Sequence, residues 1–214
     1  MKTIITTLAL IFTIALTQAQ DAKYEKAMQK AFAEMEAADS AEDIMAVANT
    51  FERISQNAES EYLPHYYTAL SLLNYNWYLE NPSERDEVID RALEHVKEAQ
   101  KLAPQDDEVE VLNGYGLMAK MTVDPANRGQ SYSPRVHQSF GKALAMNPEN
   151  PRALAMKAQM DLGTAQHFGT DPTQACELAQ KSVALLEKEE RGQDFQPTWG
   201  MDTAQRILQS CESK

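Results

Sequence analysis

From residue 21 onward the apolar positions recur every three to four residues, and strand-type alternation is nearly absent, so the chain reads as all-α. A first helix over 21–38 puts Tyr24, Ala27, Met28, Ala31, Phe32 and Met35 on one face. Asp39 or Ser40 can cap a second, which has Glu42 and Asp43 in its favourable first turn and carries Ile44, Val47, Ala48, Phe51 and Ile54. A third opens at Pro64 and aligns Tyr66, Leu70, Leu73 and Trp77 in a stripe that reads as core, with Tyr67, Tyr75 and Tyr78 off it. A fourth runs over 86–102. A fifth, over 107–121, contains Gly114 and Gly116, and a helix-interior glycine, costing about 1 kcal/mol, points to close approach of a neighbour. The stretch 122–133, TVDPANRGQSYS, reads as the longest irregular loop. Further helices follow over 134–146, from Pro151 through Leu162, over 172–190 and over 199–212.

One pattern comes twice. Ala92, Val96, Ala99 and Pro104 sit at the same offsets as Val136, Phe140, Ala143 and Pro148, 44 residues further on. Small residues let two helices approach, the bulky one fills the gap, and proline ends the helix. Recurring helix pairs predict a stacked helical solenoid.

The first nineteen residues stand apart from this pattern. Lys2 is a short positive start, Ile4 to Leu16 is apolar, and Thr17-Gln18-Ala19 supplies small residues for cleavage after Ala19. The apolar run is too short to span a bilayer. No Cys follows the cleavage point, so a lipid anchor is not expected. The expectation is a signal peptide over 1–19 and a single exported domain over 20–214, periplasmic or extracellular, with no membrane insertion after cleavage. A formal charge of −12 disfavours nucleic acid and anionic lipid as partners.

In an exported chain two cysteines invite a disulfide. Helices over 172–190 and 199–212 would form a hairpin centred near residue 194, which places Cys176 and Cys211 opposite each other. Closing that loop is worth about 2–4 kcal/mol. Two buried free thiols are the alternative.

The spacing A-x3-F-x2-A-x4-P, and the stretch KALAMNPENPRALAM (142–156), resemble tetratricopeptide repeats. The resemblance is good over 86–160 and loose elsewhere; the spacing here is longer than the family period, and most first-helix marks are missing. The closing PTWGMDTAQRILQSC is similar to the ends of exported chains of Bacteroidetes type. The resemblance implies a right-handed solenoid of about four stacked antiparallel helix pairs, a concave binding face and no catalytic residues.

Candidate chemistry is sparse. The four histidines, His65, His95, His137 and His167, show no metal-ligand spacing within one helix and have differing offsets within the repeats. The methionines fit core filling better than a copper groove. No nucleophile motif or phosphate loop stands out. The expected function is therefore a non-enzymatic scaffold without cofactor or metal. It would hold an unidentified protein or peptide in a groove lined by the third, fifth and seventh helices, through Tyr67, Asn74, Asn113, Lys120 and Lys157. The alternatives are a small-ligand carrier or enzyme with a site at the 122–133 loop, near Arg128, Tyr132 and His137, or a structural subunit of an envelope complex.

Overall fold

Five of the described helices begin where a short polar side chain takes one of the first free amides. The computed structural model describes residues 21–189 and 195–212; the expected leader lies outside them. Helix α1 covers 21–37. It is followed by α2 (Ala41–Ser55), α3 (Tyr62–Tyr75), a 3₁₀ turn (Asn76–Tyr78), α4 (Pro82–Leu102), α5 (Asp107–Val123), α6 (Pro125–Met146), α7 (Pro151–Phe168), α8 (Thr173–Leu186) and α9 (Met201–Glu212). No strand occurs among the described residues, and the all-α expectation is met. None of the described helices is long and apolar enough to cross a membrane.

Ser40, Asn81, Asp106, Asp124 and Asn150 each accept a first-turn amide, and Pro82, Pro125 and Pro151 follow their caps at a position that needs no amide donor. These caps correct several sequence boundaries. Asn81 starts α4 four residues earlier than expected; α3, which has no side-chain cap, begins at Tyr62 rather than at Pro64. The expected loop at 122–133 is mostly helix: Asp124 and Pro125 start α6, which runs through Pro134. Pro134 is exposed, so the amide it lacks and the carbonyl it leaves free fall on the water side.

From α2 onward each helix packs against the next, and α3, α5, α7 and α9 also touch in order. Helices α3, α5 and α7 thus form an inner layer, buried on nearly every side, whereas α4, α6 and α8 bury a narrower stripe. The doubled sequence pattern is that stripe: Ala92, Val96, Ala99, Val136, Phe140 and Ala143 are all buried. The glycines of α5 make room for it. A Cβ on Gly114 would stand 2.4 Å from Phe140, and one on Gly116 2.5 Å from Leu93.

Cys176 and Cys211 are joined by a disulfide, with 6.1 Å between their Cα atoms, so the hairpin argument holds. Residues 195–200, leading into α9, cross the inner layer. The Phe195 ring lies 6.4 Å from Tyr24 and 5.4 Å from Phe32, and its carbonyl accepts from the Tyr67 hydroxyl at 2.8 Å. Gly200, at φ 112°, then turns the chain into α9.

Candidate functional site

This crossing strap, residues 195–200, changes what the inner face can do. It covers the α1–α3 end, so the open concave groove expected there is occupied by the chain itself. Beside the strap remains a cleft of about 690 Å³, bounded by the C-terminal end of α3, the 3₁₀ turn, α5, α7 and the start of α9. That volume suits a small organic ligand.

The cleft is aromatic. Trp77 and Tyr78 come from the 3₁₀ turn, Tyr115 from α5 and Trp199 from the strap. Trp77 is 47% exposed and Tyr78 55%, so the end of the predicted α3 stripe is at the surface rather than in the core. The helix tightens into a 3₁₀ turn at Asn76, which rotates Trp77 out of the stripe and leaves Tyr78, off the stripe already, beside it at the surface. Each indole edge is pinned by a tyrosine. Trp77 Nε1 donates to Tyr115 Oη at 2.8 Å, and that hydroxyl sits 3.3 Å from Asn74 Oδ1, to which it donates. Trp199 Nε1 donates to Tyr66 Oη at 2.7 Å, and Tyr66 donates in turn to Glu108 Oε2 at 3.4 Å. Burial raises the pKa of both tyrosine hydroxyls, so they stay neutral donors. Arg85 lies 5.2 Å from the Trp77 ring centre.

Behind Trp199 lies a charged cluster. Arg152, almost fully buried, meets Glu108 Oε1 at 2.8 Å and Glu189 Oε1 at 2.6 Å, and donates to the Trp199 carbonyl at 3.4 Å. Burial pushes the Glu108 carboxyl up to about 7 against the pull of Arg152. The opposite rim carries Asp202, Thr203 and Arg206 from the first turns of α9. Arg206 donates to Thr203 at 3.2 Å and has no carboxylate partner among the described residues.

Of the residues expected to line a groove, Asn74 reaches the cleft. Tyr67 is buried under the strap, stacked on Phe51 with ring centres 5.1 Å apart. Asn113 donates to Glu110 and Ser139, Lys120 pairs with Asp86 and Asp90, and Lys157 pairs with Asp161. These three polar groups are taken up by contacts between and along helices. The alternative location fares no better. Arg128 forks onto Asp86 at 2.6 and 2.7 Å, Tyr132 packs on the core under Arg135, and His137 faces Asp161 at 3.6 Å.

The histidines, expected to stay apart, also converge: His65 and His95 meet with Nδ1 atoms 3.0 Å apart. Burial lowers both pKa values. The signal was available. Residues 65 and 95 lie equally far from the turn between α3 and α4, the same symmetry that pairs Cys176 with Cys211.

The chain is similar to the HusA haemophore from Porphyromonas gingivalis, at 28% identity and a TM-score of 0.78, over 89% of this chain and 93% of that one. No protein-family model matches the chain, and no curated protein does. This likeness corrects the expected function and partner. The neighbour is a haemophore, a carrier of a small ligand, so the protein- or peptide-binding scaffold gives way to the small-ligand alternative.

Proposed function

We propose that this protein is an exported, non-enzymatic carrier of a flat tetrapyrrole of the haem class, held in the cleft between α3, α5, α7 and α9. The observation that carries the reading is a pair of indoles, each fixed at its edge by a tyrosine, facing a cleft large enough for one such ligand. Fixed aromatic faces bind a planar macrocycle at low entropic cost. Leu70 and Met156 add apolar area. Arg206 and the first turn of α9 suit the ligand's carboxylates. Tyr78 makes no hydrogen bond among the described residues, and its hydroxyl is of a type that ligates haem iron.

The likeness to a haemophore, spread over most of both chains, supports this reading. The disulfide supports an oxidising location outside the cytoplasm, with residues 1–19 as its signal peptide and 20–214 as one domain. The order of helix packing, each helix on the next and alternate helices in one layer, supports a tetratricopeptide-like solenoid.

The test is a titration of the chain without residues 1–19 with haemin, followed by the Soret band. Saturable binding of one equivalent is expected, and replacing Trp77 and Tyr78 together by alanine should lower affinity about tenfold or more. Absence of a saturable Soret change at micromolar haemin would sink the proposal.

A further inference from the structure

The histidine pair lies between α3 and α4, away from the cleft. His65 and His95 approach with Nδ1 atoms 3.0 Å apart and ring centres 5.2 Å apart. Behind His95, its Nε2 stands 3.3 Å from Glu52 Oε1 on α2. Arg91 holds the other oxygen of Glu52 and also donates to Asn49 Oδ1 at 3.1 Å. This chain of contacts fixes the His95 tautomer. With Glu52 accepting from Nε2–H, the Nδ1 of His95 is left as a lone pair aimed at Nδ1 of His65.

We propose that His65 and His95 form a two-histidine binding site for one divalent late-transition-metal ion, zinc(II) or, more tightly, copper(II). Two ligands at about 2.0–2.1 Å from one ion stand about 2.9–3.4 Å apart, and the Nδ1 pair already has that separation. In the metal-free chain a single N–H···N proton, carried by His65, occupies this gap; as the metal ion takes Nδ1 of His65 that proton moves by way of solvent to Nε2 of the same ring, so both imidazoles stay neutral. Glu52 is the outer carboxylate that metal-bound imidazoles characteristically have behind them, and Arg91 holds it in place. Imidazole without thiolate selects copper, nickel and zinc over calcium or magnesium, and copper(II) leads that order. The described residues gather no set of three or more His, Cys, Asp or Glu around one point, so water completes the coordination. Glu98, one turn beyond His95, is held by Lys101 at 2.6 Å and stays outside. The site faces α4 and α2, whereas Leu70 and Asn74 of the same α3 helix face the cleft, so the two bind independently.

The probe is the metal alone, as zinc(II) and copper(II) salts, on the chain without residues 1–19. Calorimetry should give one equivalent, and the copper(II) paramagnetic resonance spectrum should show coupling to two imidazole nitrogens. His65→Gln and His95→Gln should each weaken binding at least tenfold, Glu52→Gln about tenfold, and His137→Gln not at all. Because a variant can lose the fold, zinc is also titrated into wild-type protein while imidazole nitrogen shifts are followed. Movement of both Nδ1 resonances at one equivalent supports the site. Oxygen-only copper coordination, or Nδ1 resonances that do not move, overturns it.

Discussion

The α1–α7 part of the molecule and the α8–α9 hairpin solve the same problem by different means. The first has a continuous core of thirty buried apolar residues, with Tyr66, Tyr67, Phe51 and Phe140 fully enclosed. The second rests on a separate cluster of five, Ala158, Leu162, Ala175, Ala179 and Ile207, three of them alanines. Alanines bury little area, so burial alone holds α9 weakly, and the Cys176–Cys211 bridge supplies what packing does not. The cleft is built across the junction: α3, α5 and α7 give one wall, and the strap and α9 give the other. One wall belongs to the large core and the other is tied on.

The contrast breaks most sharply at Phe140. Phe140→Ala should cost about 3–5 kcal/mol by denaturant unfolding, because it empties the space that Gly114 leaves for the ring. If that loss is under 1 kcal/mol, the large core is not the rigid wall described. Replacing both cysteines by alanine should cost about 2–4 kcal/mol, but locally. Hydrogen exchange should speed up in α8 and α9 and stay slow in α5, with haemin affinity falling at the same time. Uniform loss across all helices would show that the two parts do not differ.

A smaller effect is set by pH. Hydrogen bonds from Arg128 and Lys120 hold the Asp86 carboxyl down at about 2, below its unfolded value of 3.8. A depressed carboxyl contributes stability that is complete above the unfolded value and is lost as pH falls through the folded one. Asp86→Asn should therefore cost about 1–2 kcal/mol at pH 7 and remove the part of the stability loss seen between pH 4 and 2. Chemical unfolding at several pH values reads this directly. The smallest effect on stability belongs to Arg206→Ala, which touches the tied wall alone. It should leave the melting temperature unchanged and weaken haemin binding about tenfold, with no such loss for the haemin dimethyl ester, whose carboxylates are blocked.

The elements of the large core were readable because each is written locally. Helical period, Asn-Pro turns and the small–bulky–small stripe at Ala92, Val96 and Ala99 all act within one or two turns. The α6 start was misread because Pro134 looks like a beginning and the polar run Asn127–Ser131 looks like a loop; the Asp124 cap with Pro125 outweighs both. The cleft was harder. Its second indole comes from the strap, and the Trp199–Tyr66 bond joins residues 133 apart in sequence, so no local spacing announces it. Tyr67, Asn113, Lys120 and Lys157 were placed on the correct inner helices, but those helices are buried nearly all round, and polar groups there find partners inside the protein.

The chain has two tryptophans, and both line the cleft. Its indole emission therefore originates wholly at this cleft, with no background from indoles elsewhere. Any occupant that absorbs near the emission band dims the whole signal, and one that merely displaces water shifts its colour. The protein thus carries a label-free optical gauge of its own occupancy, and unlabelled compounds can be ranked by competition against it.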